Sequence, residues 1–248
     1  MADTAETKPR TRKAKEEPAP PPPPASRGRS LLRWGGRGLG GIAAVYAVLI
    51  VLFSFLPPPI NLYQLSERWR LGTIEKDWVS LEEIAPVMVR SAVAAEDANF
   101  CNHWGFDMAA IRAAIEDGAS RGGSTISQQV TKNVLLWQER SWLRKAMEAV
   151  LTPAVELVWS KRRIVEVYLN VAEFGEGVFG VQAAARHYFG VDARDLSALQ
   201  AARLAAVLPD PKRRNPAKPT EFVRKRTRAI LSGAETIAAD GRSACFEG

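Results

Sequence analysis

The chain has 248 residues, of which 46% are apolar and 25% charged, with a formal net charge of +7. That is ordinary globular composition, enough for one domain with a buried core, and it excludes a chain disordered throughout. Residues 1–38 hold nine basic against four acidic side chains, so residues 39–248 carry only +2 and the basic balance does not point to nucleic acid.

Residues 1–30 are rich in charge, Pro and Ser, with a run from Pro20 to Pro24. Such a segment cannot bury apolar surface, so residues 1–38 are expected to form a disordered tail. The Pro run reads as a solvated spacer rather than an SH3-type ligand. Leu39 to Leu56 follows, 18 residues without a charge. As a helix it covers about 27 Å, close to a hydrocarbon core of about 30 Å. Pro57-Pro58-Pro59 ends it, and no small-residue cleavage site of the A-x-A type follows, so residues 39–56 read as one transmembrane helix rather than a signal peptide. Arg27, Arg29, Arg33 and Arg37 lie on its N-terminal side, and the first charge on the other side is Glu67. The positive-inside rule then places the N-terminus in the cytoplasm and residues 57–248 outside it. In a Gram-negative cell this means a single-pass anchor in the inner membrane and a periplasmic domain. There is no ATP there, so an activated substrate must bring its own leaving group.

Beyond the anchor the pattern is mostly helical. Ser80-Leu-Glu-Glu83 reads as a capping box opening a helix with Ile84, Val87 and Met88 on its apolar face. Gln182 to Phe189 is a short helix ended by Gly190, and Ser197-Ala-Leu-Gln200 opens another that stops at Pro209. Few stretches alternate with period two and no βαβ rhythm is present, so the expected class is all-α.

Four clusters could carry chemistry. In the first, Glu96-Asp97 follows a small apolar run, with Phe100 and His103 near the Glu96 face if the helix continues. A carboxylate at the end of a buried helix is costly unless it has partners or work. In the second, Gly122-Gly123 precedes Ser124, which reads as an N-cap. Ser124, Gln128 and Lys132 then form a polar stripe opposite Ile126, Val130 and Val134; taken alone this is either a solvated helix face or, with the helix start and its Lys facing one cleft, an anion site. The third, Arg140 with Arg144-Lys145-Ala-Met-Glu148, taken alone reads as surface ion pairs. The fourth, Lys161 to Asn170, places Ile164, Val167 and Tyr168 on a buried face and reads as structural. Cys101 and Cys245 lack any regular spacing, so neither a disulfide framework nor a zinc site is implied. Only His103 and His187 could add imidazoles, and no structural transition metal is expected.

In this order the clusters resemble the family-51 glycosyltransferases, the peptidoglycan polymerases. The family's E-D-x-x-F-x-x-H-x-G is met by Glu96, Asp97, Phe100, His103 and Gly105. Its G-G-S-T-I-x-Q-Q-x-x-K-N is met by Gly122 through Asn133, including Thr125, and its R-K-x-x-E by Arg144, Lys145 and Glu148. Its K-x-x-I-x-E-x-Y-L-N is met by Lys161, Ile164, Glu166, Tyr168, Leu169 and Asn170. The resemblance runs from about residue 70 to about residue 220 and implies a lysozyme-like helical glycosyltransferase domain. No S-x-x-K acylation site of a transpeptidase domain is present, which implies a monofunctional member. Pro153 falls where the family pattern suggests a helix, so a kink or break is expected there.

The resemblance further implies lipid II and the growing lipid-linked glycan as substrates, with β-1,4 transfer and inversion at the donor carbon. By position Glu96 is the base and Glu148 the second essential carboxylate. Asp97, Phe100, His103, Ser124, Thr125, Gln128, Lys132, Asn133, Arg140, Arg144 and Lys145 are the implied substrate-binding residues. Lys132 and Arg140 would hold the pyrophosphate, helped by the dipole of the helix starting at Ser124. An ordinary Glu pKa of about 4.3 would leave Glu96 ionised at neutral pH. No cofactor is firmly implied; a divalent cation, Mg or Mn, at the pyrophosphate is the one candidate, with Glu148 either holding it or orienting Arg144 or Lys145. The membrane and other cell-wall synthesis and division proteins are the implied partners. The apolar face of Phe106, Met108, Ile111 and Ile115 suits either lipid headgroups or a plain core helix. A lysozyme-like hydrolase or lytic transglycosylase, and an inert membrane scaffold, are the rival readings.

Overall fold

The computed structural model describes residues 27–116, 123–139 and 141–247. Most of the expected tail, together with Gly122 and Arg140, lies outside the described residues. The chain divides into two compact units, 1–43 and 44–248.

Helix α1 runs over Arg27–Phe55. The expectation of disorder as far as residue 38 is therefore corrected: the backbone is already helical from Arg27. Nothing in 27–38 but glycine opposes helix, and an established helix propagates at little cost. The stretch Gly36–Phe55 is long and apolar enough to cross a membrane, with only 11% of it buried. Its last turns belong to the second unit. Ile50 and Phe53 join the core there. The final carbonyls of a helix have no partner within it, and Pro57 cannot continue this one. Arg163 fills that need, donating to the Phe53 carbonyl at 3.1 Å and the Leu56 carbonyl at 2.7 Å. Trp159 Nε1 donates to the Ile50 carbonyl at 2.7 Å.

The second unit is helical as expected: α2 (Leu62–Leu71), α3 (Pro86–Glu96), α4 (Met108–Glu116), α5 (Ile126–Leu135), α6 (Trp142–Val158), α7 (Lys161–Val171), α8 (Val181–Phe189), α9 (Ala198–Val207), α10 (Glu221–Ala239) and α11 (Ala244–Glu247). A three-stranded sheet was not foreseen. It comprises β1 (Glu75–Lys76), β2 (Glu173–Gly175) and β3 (Val178–Phe179) in the order β1-β3-β2, with β1 parallel and β2 antiparallel to β3. Strands this short leave no period-two signature.

Two packed groups hold the core. Helices α3, α9 and α10 pack together, as do α5, α6 and α7, and α3 also meets α7. Ala92, Ala201, Ala202, Ala205 and Ala206 are fully buried, and such small side chains let helix backbones approach closely. Asn170, 1% exposed, pairs with an extended segment as a strand would. Its Oδ1 accepts from the Val79 N–H and its Nδ2 donates to the Val79 carbonyl, both at 2.9 Å.

Four local expectations are corrected. The Ser80–Glu83 capping box forms, but it opens only a 3-10 turn, Leu81–Glu83. Pro86 disfavours helix at Ala85, so α3 starts at the proline itself. Helix α6 does not break at Pro153 but runs unbroken to Val158, at the cost of one backbone bond. Helix α3 stops at Glu96, so Phe100 and His103 do not share its face; Phe100 starts a separate 3-10 turn, Phe100–Asn102. Cys101 and Cys245 form a disulfide across 144 residues, which sequence spacing could not show because long-range pairing leaves no local pattern.

Asn170→Ala is expected to leave both Val79 backbone groups unpaired, at about 2–3 kcal/mol. A melting temperature lower by roughly 5–10 °C in a thermal scan would match that loss; an unchanged melt would show that water replaces the amide.

Candidate active site

Glu96 ends α3 beneath two other helices. Gln129 Nε2 of α5 donates to its Oε2 at 3.0 Å, and Arg226 Nη2 of α10 stands 3.6 Å from its Oε1. Its side chain is 13% exposed. Burial drives its pKa above the ordinary value; the Gln129 bond and the Arg226 charge pull it down, with smaller effects from Asp97 and Arg214. The expectation of an ordinary carboxyl pKa is corrected accordingly. Oε1 makes no hydrogen bond. Glu96 faces a cavity of about 380 Å³, whose lining includes Asp97, Asp107, Gly123, Ser124 and Thr125.

Asp97, the neighbouring acid, is already engaged. Its Oδ1 meets His103 Nε2 at 2.8 Å, and its Oδ2 accepts the Ile126 N–H at 2.9 Å. It thus holds the first turn of α5, where a helix favours an anion. One N–H of that positive helix end is thus taken by Asp97. His103 also lies edge-on to Phe100. Phe100 is 0% exposed and lies beneath Lys161 and beside Phe246. It therefore packs the core, and its assignment as a substrate-binding residue is corrected.

Helix α5 is capped by Thr125, not Ser124. The Thr125 hydroxyl accepts the Gln128 N–H at 3.2 Å, and Gln128 Oε1 accepts the Thr125 N–H at 3.1 Å. The T-x-x-Q box lies one residue beyond the serine. Ser124 is left exposed on the cavity wall. Thr125 also donates to the Gly105 carbonyl at 2.7 Å. Gly105 has φ +86°, and a Cβ there would lie 2.9 Å from Thr152. The motif's glycine is thus required by backbone and space together.

The third cluster meets on Glu148, which is 3% exposed. Arg144 Nη1 bonds its Oε2 at 2.6 Å, Lys145 Nζ bonds its Oε1, and Gln128 Nε2 approaches Oε1 at 3.4 Å. The surface-pair reading is thereby corrected for the carboxylate, which is buried and doubly paired. Two cations on one anion leave a net charge of +1. Among the described residues no group of three or more His, Cys, Asp or Glu side chains could hold a metal.

Helix α5 joins the two carboxylates. Gln128 reaches Glu148, while Gln129, about 100° further round, reaches Glu96. Lys132 follows at about 40° from Gln128, between the two. It is half-buried. Lys132 and Glu148 are not among the residues lining the Glu96 cavity. Asn133 Oδ1 accepts from Gln138 at 3.0 Å. Arg140 lies outside the described residues.

The fourth cluster is structural as expected, with Ile164, Val167 and Tyr168 buried. Lys161 pairs with Glu156 at 2.8 Å, and Glu156 accepts the Ser127 hydroxyl, tying α5, α6 and α7 together. Two site residues were missed. Gln129 lay unassigned inside the second motif. Arg226 adjoins the buried stripe Val223, Thr227, Ile230 of α10, and an arginine beside an apolar stripe was the available signal.

Because its pKa is raised in the folded state, ionising Glu96 is a cost to folding, one that grows as pH rises from the unfolded pKa to the folded one and is constant above it. Glu96→Gln is therefore expected to melt at the wild-type temperature or above it. A large fall in melting temperature would mean that the carboxylate holds the fold.

A family model described as Transglycosylase matches residues 64–235. A biosynthetic peptidoglycan transglycosylase of Jannaschia sp. (strain CCS1) is 56% identical over 237 residues, covering 96% of this chain and 98% of that relative. Relatives of the same description from Yersinia pseudotuberculosis serotype O:1b (strain IP 31758) and Yersinia pestis (strain Pestoides F) are 48% and 47% identical over 210 residues, covering 80% of this chain and 87% of each relative. The lysozyme-like helical domain implied by the motifs is the one this family model describes. The matched region holds Glu96, the helix that contacts it and the cations around Glu148, so this chain belongs to the transglycosylase family.

Proposed function

We infer that this chain is a peptidoglycan glycosyltransferase, polymerising lipid II into β-1,4-linked glycan strands. The observation that carries this reading is the arrangement on α5: a base candidate with raised pKa on one side, and a cation cluster of net positive charge on the other. A hydrolase also needs a carboxyl group, but it has no diphosphate to stabilise.

In the transfer, the acceptor GlcNAc 4-hydroxyl attacks C1 of the lipid-linked donor. The new O4–C1 bond forms as the bond from C1 to the pyrophosphate oxygen breaks, and the hydroxyl proton passes to Glu96. A base works best when its pKa approaches the working pH, which burial promotes here. The leaving diphosphate gains negative charge and requires cations already in place. Lys132 and Arg140 take this role by their motif positions. Arg144 and Lys145 supply the remaining charge, oriented by Glu148.

The lipid tail stays in the bilayer, so the site opens at membrane level. Met108 and Ile115 of α4 are 56% and 70% exposed and no residue of α4 is buried, which favours headgroup contact over a core helix. Trp69 and Leu62 of α2 are also exposed. The Gly36–Phe55 helix is the anchor, with the arginines on its N-terminal side in the cytoplasm. The Cys101–Cys245 disulfide fits a domain outside the cytoplasm, since disulfides persist in oxidising compartments. Other cell-wall synthesis and division proteins are the partners this placement suits.

Purified chain given labelled lipid II is expected to make long glycan. Soluble fragments released from finished wall instead would establish a hydrolase. Glu96→Gln is expected to abolish polymerisation, and Lys132→Ala to lose most of it with an unchanged circular-dichroism spectrum; an unfolded Lys132→Ala spectrum would make that lysine structural. Activity should fall as acid protonates Glu96. Gln129→Ala removes a bond that lowers the Glu96 pKa, so the acid limb of its pH–rate profile should move to higher pH; an unmoved limb would remove Glu96 as the titrating base.

A further inference from the structure

The C-terminal segment converges on the few residues around Glu96. Arg226 of α10 donates to the Ala95 carbonyl at 3.2 Å as well as facing Glu96. Beyond that helix, Arg242 Nη1 donates to the Ala98 carbonyl at 3.1 Å, while its Nε is fixed by Asp240 at 2.8 Å. Cys245 is bonded to Cys101, and Phe246, 1% exposed, lies 6.4 Å from Phe100 between ring centroids. The far side is tied down too. Arg162 Nη1 donates to the Phe246 carbonyl at 2.9 Å, and Arg90 pairs with Glu247 at 2.6 Å. Ala98, Phe100 and Cys101 therefore bear on Arg242, Phe246 and Cys245, while Ala95 and Glu96 just before them bear on Arg226 of α10. The stretch after Glu96 has only one 3-10 turn of its own, Phe100–Asn102. A segment with so little internal bonding takes its position from what it leans on.

We propose that the Cys101–Cys245 disulfide and Arg242 make the C-terminal segment a positioning element for Glu96, and that polymerisation by this chain depends on the oxidation state of this cysteine pair. This dependence rests on the glycosyltransferase reading above. A dithiol reverses the tie. The S–S bond breaks, two electrons come from the dithiol as it closes to its own cyclic disulfide, and its two protons end on the Cys101 and Cys245 thiols. Arg242 and Phe246 then keep their noncovalent contacts alone, and the loop that follows Glu96 loses its covalent tie to them. Displacing a base by about 1 Å can cost about a hundredfold in rate.

The effect separates from plain stability through the pH profile. Glu96 is faced by Asp97 beside it, Gln129 from α5, Tyr168 from α7, Arg214 from the turn after α9 and Arg226 from α10. Free thiols are neutral at acid pH. Reduction changes none of these charges, so a shifted acid limb reports a moved Glu96.

The test uses the full chain in detergent micelles, below the lowest melting temperature measured for any form. It compares oxidised protein, dithiothreitol-treated protein, the Cys101→Ala/Cys245→Ala variant, and Arg242→Ala with its disulfide intact. Reduction and the double alanine variant are expected to lower kcat about tenfold or more, to shift the acid limb and to leave KM for lipid II nearly unchanged. Reoxidation should restore the wild type, dithiothreitol should not affect the double variant further, and Arg242→Ala should show a smaller loss of the same kind. A folded, reduced chain with the kcat and acid limb of the oxidised form would overturn the proposal. So would a loss that tracks only the unfolded fraction by circular dichroism. If the oxidised wild type makes no glycan, the glycosyltransferase reading itself fails, whatever the thiols do.

Discussion

Taking the Glu96 carboxylate out of water is the constraint on which the rest of the site depends. Burial favours its neutral form, and its place at the last turn of α3, the negative end of a helix, works in the same direction. Gln129 and Arg226 oppose both effects from separate helices. The pKa is thereby raised above the ordinary carboxyl value while the ionised form stays reachable. A fully solvated glutamate would be a weaker base; an isolated buried one would not ionise. The packing of α3 against α10 and the position of α5 thus set the electrostatics of Glu96 as well as the fold.

Helix α5 converts that requirement into geometry. Its first turn is fixed by four bonds: the Ile126 N–H to Asp97, the two of the Thr125–Gln128 box, and the Thr125 hydroxyl to Gly105. With the helix start so fixed, adjacent glutamines address two carboxylates in different directions. Glu148 could have repelled a diphosphate, but it is buried under Arg144 and Lys145 and leaves a net positive charge. The two carboxylates are thus addressed from positions about 100° apart round α5, with Lys132 on the arc between them.

Much of the fold and part of the site were legible in the sequence. A helix long and apolar enough to cross a membrane, the mainly helical class, the Gly190 helix end and the Ser197 capping box follow from local chemistry, and each is present in the structure. What local chemistry could not show was tertiary. The roles of Asp97, Phe100 and Gln128 were set by what each meets: a distant helix start, the Phe246 ring and a buried glutamate. Their positions in the motifs were clear, but motif membership does not distinguish a residue that touches substrate from one that holds another residue. Arg226 and the Cys101–Cys245 pair come from the far end of the chain and have no short-range signature. Thr125, not Ser124, caps α5 because the capping box requires a glutamine three residues on.

The proposed chemistry depends on the ionisation of one buried side chain, and that can be read directly. Infrared difference spectroscopy of wild type against Glu96→Gln, over a pH titration, isolates the carboxylate stretch of this group. The account requires a midpoint above the ordinary carboxyl value of about 4.3 that coincides with the acid limb of glycan polymerisation. A midpoint at or below that value, or one that moves independently of the activity, would contradict it.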